Sequence, residues 1–181
     1  MERLLTAQQV TRALHRLGKL ISSHLPPDEP LAVIGIRTRG ETLARRIVDR
    51  LRAERNQPIE YGVLDITFYR DDLSMRKGMP LVRATEIDFD LDGKVVLLVD
   101  DVLATGRSVR AAMDALVDFG RPQAIRLAVL IDRGGRELPI AADFVGAAVD
   151  APADARVQVR LKEYDGDDGV YLIPYRKRKR K

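Results

Sequence analysis

Cysteine is absent from the 181 residues. That excludes disulfides, thiolate nucleophiles and zinc–cysteine centres together. Histidine is scarce as well. His15 and His24 are the only two, and both fall in or beside the first predicted helix, so neither is given a catalytic role. No apolar run reaches the ~18 residues that a membrane span needs. The first residues lack the apolar stretch of a secretory signal, and a cytoplasmic location is the expectation. Neither a Walker A pattern nor Gly-x-Gly-x-x-Gly occurs, which removes support for nucleotide triphosphatase and dinucleotide readings. Side chains suited to a resident metal cage are also wanting.

What is present fits a globular protein: 45% hydrophobic and 32% charged residues. The length suits one domain, expected over residues 1–175. Of the 31 basic residues, six are the last six of the chain, 176–181; the other 25 face 27 acidic ones. The basic character therefore belongs to the tail, predicted to be disordered, while the body is slightly acidic. A wholly basic nucleic-acid-binding body is excluded; a basic face is not.

Thr6 and Gln9 form a predicted capping box, followed by Val10, Leu14, Leu17 and Ile21 at helical spacing up to Pro26-Pro27. Apolar strands are expected at 31–36, 59–68, 95–99 and 125–131, with shorter ones near 144–145, 157–161 and 170–173. Helices are expected from Glu41 and from Ser108, the latter ending before Gly120 and Pro122. Residues 70–88 read as a loop or exposed hairpin. Strands alternating with helices predict an α/β fold with a mostly parallel central sheet flanked by helices. Ligands in such sheets bind at the carboxyl ends of strands.

The most informative stretch runs from Val96 to Ser108: V-L-L-V-D-D-V-L-A-T-G-R-S. A buried strand carries Asp100 and Asp101 to its carboxyl edge. A turn with the Thr105 and Ser108 hydroxyls and Gly106 follows, and a helix begins. Unpaired N–H groups and the positive helix end make an anion site suited to a phosphate monoester. Two carboxylates beside it suit sugar hydroxyls, a Mg2+ ion or a developing cation.

That stretch resembles the phosphoribosyl pyrophosphate (PRPP) signature of type I phosphoribosyltransferases. An acidic pair after an apolar strand also occurs in response-regulator receivers, but on their first strand and without a Thr-Gly-Arg-Ser turn. The resemblance narrows with L-D-I-T-F-Y-R-D-D-L at 64–73, D-A-L-V-D-F-G-R-P at 114–122, L-A-V-L-I-D-R-G at 127–134 and R-E-L-P-I at 136–140. These are similar to the PyrR family, pyrimidine-operon regulators with uracil phosphoribosyltransferase activity. The likeness covers nearly the whole chain except the basic tail.

The resemblance implies a type I phosphoribosyltransferase fold with a flexible hood over 69–86, including Tyr69, Arg70, Asp71 and Asp72. It implies that Asp100 and Asp101 contact the ribose and stabilise charge at its anomeric carbon. Ala104, Thr105, Gly106, Arg107 and Ser108 would hold the 5′-phosphate, and Arg37, Thr38, Arg39 and Gly40 the pyrophosphate. Substrates and products would be PRPP, uracil, UMP and pyrophosphate, with Mg2+ arriving on PRPP rather than on protein side chains. A transferase for another nucleobase shares that site and differs only in base preference. The family also binds leader RNA of pyrimidine genes and forms homodimers or multiples of them. Arg12, His15, Arg16 and Lys19, on one face of the first helix, together with Arg136, are the implied RNA contacts. Departures concentrate there. The family usually has Tyr at Ala104, His at Gly135, a basic residue at Ala141, and Gly-Lys-Asn with Pro-Thr-Ser around 146–153, where this chain has G-A-A and A-P-A. Two or three RNA contacts of the family are thereby missing.

Overall fold

A computed structural model describes residues 1–71 and 84–175; the expected basic tail and most of the hood loop, Asp72 included, lie outside them. The capping box forms. Gln9 N–H donates to Thr6 Oγ1 at 3.4 Å and Thr6 N–H to Gln9 Oε1 at 2.8 Å. Helix α1 (Ala7–His24) buries Val10, Leu14, Leu17 and Ile21, while Arg12, His15, Arg16 and Lys19 share its exposed face. Strands β1 (Glu2–Leu5), β2 (Leu31–Ile36), β3 (Ile59–Leu64), β4 (Val95–Leu103), β5 (Ala124–Asp132), β6 (Phe144–Ala148), β7 (Ala155–Arg160) and β8 (Gly169–Pro174) follow in chain order, with α2 (Arg39–Leu51), α3 (Arg107–Leu116) and the short α4 (Lys162–Asp165) between them.

Among the described residues, five parallel strands form the central sheet in the order β3-β2-β4-β5-β6. Strand alternation divides its core. Leu31, Val33, Val95, Leu97 and Val99 pack with α1 and α2 on one face; Ala32, Ile34, Ile36, Val96 and Leu98 pack with α3 on the other. The chain leaves β2 toward the β3 edge and returns through β4 toward β6. Between β2 and β4 the connections therefore diverge, which opens a crevice above the carboxyl ends of these two strands.

The structure extends or trims several expected elements. The strand expected over 59–68 stops at Leu64, because Asp65 accepts the Thr67 N–H at 2.8 Å and its hydroxyl at 2.5 Å. This side-chain turn competes with the ladder, and residues 67–69 become a 3-10 turn. Strand β4 runs past the acidic pair to Leu103, since β5 continues to pair with it there, Asp100 opposite Val129 and Val102 opposite Ile131. Helix α2 begins at Arg39 rather than Glu41, and α3 at Arg107.

A separate antiparallel sheet, β1-β8-β7, was not legible as a unit. Its first strand has no clear alternation. It is held instead by tertiary partners: Arg3 lies over the Tyr171 ring and donates to its hydroxyl at 2.9 Å. No described helix is long and apolar enough to cross a membrane.

Candidate active site

Two glycines set the crevice. A Cβ at Gly40 would lie 2.5 Å from the Val99 carbonyl oxygen, and one at Gly35 would lie 2.5 Å from the Glu41 Cα and from the Gly40 carbonyl oxygen. The N-terminus of α2 is thus pressed against the ends of β2 and β4, an approach only glycine permits. The loop between β2 and α2 crosses beside the acidic pair as a result.

Asp100 and Asp101 stand at adjacent strand positions, so alternation sends them toward opposite faces. Asp100 feels the positive charge of Arg70, and Asp101 that of Arg39. Asp100 is only 8% exposed, and its Oδ1 accepts the Asp101 N–H at 2.8 Å. Burial, reinforced by the neighbouring Asp101 charge, pushes the Asp100 carboxyl well above the usual carboxylate range. Burial also raises Asp101, against the opposing pull of Arg39 and of hydrogen bonds to its carboxylate.

The following loop turns from β4 into α3. Gly106 takes a left-handed φ of 91° at the N-cap of α3. The turn is braced from the loop after β5. Glu137 and Leu138 N–H groups donate to the Thr105 carbonyl at 3.0 and 3.1 Å. Arg136 donates to the Ala104 carbonyl at 2.9 Å, to the Ile140 carbonyl at 2.9 Å and to Asp132 at 2.5 Å. Arg107 joins Glu137 at 2.7 Å to Asp71 at 2.6 Å, which links the start of α3 to the segment after β3.

Part of the expected set converges on two adjoining cavities, whereas Thr38, Arg39 and Gly40 line neither. A cavity of about 260 Å3 is lined by Ile36, Arg37, Asp65, Ile66, Thr67, Arg70, Asp100, Asp101, Val102 and Ser108. A smaller one beside it is lined by Arg70, Asp71, Thr105, Arg107 and Ser108. Arg37 pairs with Glu86 and, at 3.7 Å, with Glu41. Arg39 is gripped by Asp165. Thr38 occupies the N-cap position of α2 without a side-chain cap bond, and Tyr69 donates to Asp118. Asp65, Thr67, Ile36, Ile66 and Val102 escaped the sequence reading as site residues. Asp65 and Thr67 had a usable signal, since they follow the carboxyl end of β3. Of the implied RNA contacts, four share the α1 face, where Arg16 donates to the Gly146 carbonyl. Arg136 lies instead under the turn that leads into α3, donating to the Ala104 carbonyl.

Residues 1–158 match the phosphoribosyl transferase domain family. The chain is 51% identical over 173 residues to the bifunctional protein PyrR of a Roseiflexus species, covering 95% of this chain and 94% of that one. It is likewise 51% identical over 169 residues to the bifunctional protein PyrR of Thermus aquaticus, covering 93% of each. This chain belongs to the PyrR family of phosphoribosyltransferases. In shape it is similar to a hypoxanthine phosphoribosyltransferase from Trypanosoma cruzi, with a TM-score of 0.69, 20% identity and coverage of 98% of this chain and 96% of that one. At that identity the likeness establishes the fold, the type I phosphoribosyltransferase fold expected from the sequence. The acidic pair and Ser108, at the start of α3, both open onto the crevice above β2 and β4.

Proposed function

We propose that this chain transfers the phosphoribosyl group of PRPP to uracil, giving UMP and pyrophosphate, and that UMP-favoured RNA binding lets it attenuate pyrimidine genes. The observation that carries the first half is the buried Asp100 and half-buried Asp101 sharing one cavity with Ser108 at the start of α3. In the reaction the bond between the ribose C1 and pyrophosphate breaks, the bond from C1 to uracil N1 forms, and the N1 proton leaves. Positive charge develops on the ribose as pyrophosphate departs. Asp100 and Asp101 supply fixed negative charge beneath it and accept the ribose hydroxyls. Backbone N–H groups at the start of α3, with Thr105 and Ser108, hold the 5′-phosphate. Arg37 and Arg39 face the pyrophosphate with charge-assisted bonds. No covalent nucleophile is required, because positioning and electrostatics lower the barrier.

The donor set fits a divalent cation delivered with the substrate. Among the described residues no cluster of three or more metal-ligating side chains exists, whereas two adjacent carboxylates suit the way Mg2+ is shared between a protein and substrate phosphates. The chemistry such a cation would supply is neutralisation of charge on the departing pyrophosphate. The cation would arrive on PRPP, and Asp100 and Asp101 are the residues that would meet it there, beside the ribose hydroxyls.

The test is UMP formation with Mg2+, PRPP and uracil, run beside hypoxanthine, guanine, adenine and orotate. Turnover of uracil above every other base is expected. Preference for another base would replace uracil in this reading, and no turnover with any would remove the enzyme.

The RNA half draws on Arg12, His15, Arg16 and Lys19, one exposed cationic face of α1. Replacing Arg12 and Lys19 by Glu is expected to weaken UMP-dependent binding of a pyrimidine leader hairpin at least tenfold. Removing 176–181 is expected to leave the UMP dependence in place. Binding that vanishes with the tail alone, in a filter or mobility-shift titration, would mean non-specific attraction instead.

A further inference from the structure

We propose that Asp165, on the turn between β7 and β8, is a positioning residue that aims Arg39 at the pyrophosphate, an inference that rests on the phosphoribosyl-transfer reading above. Arg39 opens α2 beside the acidic pair. Its Nη2 donates to Asp165 Oδ1 at 2.9 Å and Oδ2 at 3.1 Å, and its Nε to Oδ2 at 3.3 Å. One edge of the guanidinium is thereby held by a carboxylate fork, the geometry that most restrains an arginine. Its other edge, at Nη1, has no partner among the described residues, and the side chain keeps 26% of its exposure. A Cβ at the next residue, Gly40, would lie 3.3 Å from the Asp100 Cα, so the start of α2 that carries Arg39 is pressed against the backbone of the acidic pair.

Asp165 is itself anchored. Its Oδ2 accepts the Leu161 N–H at 2.9 Å, and its own N–H donates to the Leu161 carbonyl at 2.8 Å. The turn is fastened to α2 a second time, two helical turns along. There Arg46 donates to Asp168 at 2.8 Å and to Glu163 at 3.0 Å. The turn between β7 and β8 thus reaches the arginine that opens α2 through the Asp165 carboxylate. An unheld arginine has many rotamers, and fixing it before the substrate arrives removes an ordering cost from pyrophosphate binding.

The two contacts of this clamp separate a positioning role from a structural one. Calorimetric titration of the full chain with pyrophosphate in Mg2+, and separately with UMP, would be compared for Asp165→Asn and Asp168→Asn. Asp165→Asn is expected to weaken pyrophosphate binding at least tenfold while leaving UMP within twofold. Its KM for PRPP should rise by more than its kcat falls. Asp168→Asn, which disturbs the same turn through Arg46, is expected to leave both ligands within twofold. Unchanged or tighter pyrophosphate binding in Asp165→Asn overturns the proposal. So does a loss shared by pyrophosphate and UMP, or an equal loss in Asp168→Asn. A wild-type chain that binds neither ligand would instead overturn the phosphoribosyl-transfer reading itself.

Discussion

Asp101→Asn is expected to lower kcat/KM for PRPP by about 10²–10³-fold, the usual cost of removing one preorganised electrostatic group, with the protein still folded. Asp100→Asn should lose activity similarly and melt at a higher temperature than wild type. The physical reason is the same for both effects. Asp100 is buried beside a second carboxylate, a costly arrangement for the folded protein without ligand and a useful one when positive charge develops nearby. Asn retains the oxygen that accepts the Asp101 N–H and removes the charge.

The pH dependence has a definite sign. The Asp100 carboxyl titrates higher in the folded chain than in the unfolded chain, so the folded state binds more protons over the interval between the two values. Stability contributed by this group therefore falls as pH rises through that interval. The advantage of Asp100→Asn should be small below the ordinary carboxylate range and grow toward neutral pH. A gain of about 1 kcal/mol raises Tm by roughly 2–4 °C in a domain of this size. Thermal melts at several pH values check this. A variant that is less stable than wild type at neutral pH would show that Asp100 is a net structural support.

Gly40→Ala should be nearly as damaging to activity and, unlike the Asp variants, should destabilise. The added carbon would meet the Val99 carbonyl oxygen at 2.5 Å. That oxygen belongs to the central strand, so no flexible side chain can yield. Relief requires lifting the start of α2 from the sheet, which carries Arg37, Thr38 and Arg39 away from the acidic pair. Overpacking of this kind costs about 1–3 kcal/mol or more. The expected result is a Tm lower by several degrees and a kcat/KM for PRPP reduced at least 10²-fold. A Gly40→Ala enzyme with wild-type Tm and KM would mean that the close approach is dispensable.

Much of this architecture was legible residue by residue. The capping box at Thr6, the fully buried β2 and the continuous apolar start of β4 were plain, because local propensity and burial agree there. Strand β1 was not, since four residues without alternation carry no period; the ladder with β8, the Arg3–Tyr171 contact and packing of Leu4 and Leu5 on the core hold them extended. Nor was the end of β3, where Asp65 and Thr67 replace ladder bonds with a side-chain turn. The phosphate-side turn could be read from its hydroxyls and glycine. Its bracing by Arg136 could not, because Arg136 is about thirty residues downstream of the carbonyl it supports.

By itself the order of residues determined the chemistry on offer: an acidic pair ending an apolar strand, a Thr-Gly-Arg-Ser turn opening a helix, and two arginines after the first buried strand. These are local patterns, and local geometry suffices to place hydroxyls, N–H groups and carboxylates on one loop. Tertiary structure alone decided that the loops after β2 and β4 share a crevice, because parallel pairing brings together segments far apart in the chain. It alone also decided that Asp165, 126 residues beyond Arg39, grips that arginine. Which cation meets which carboxylate is set by where the connection between β7 and β8 meets α2, and no periodicity along the chain encodes that.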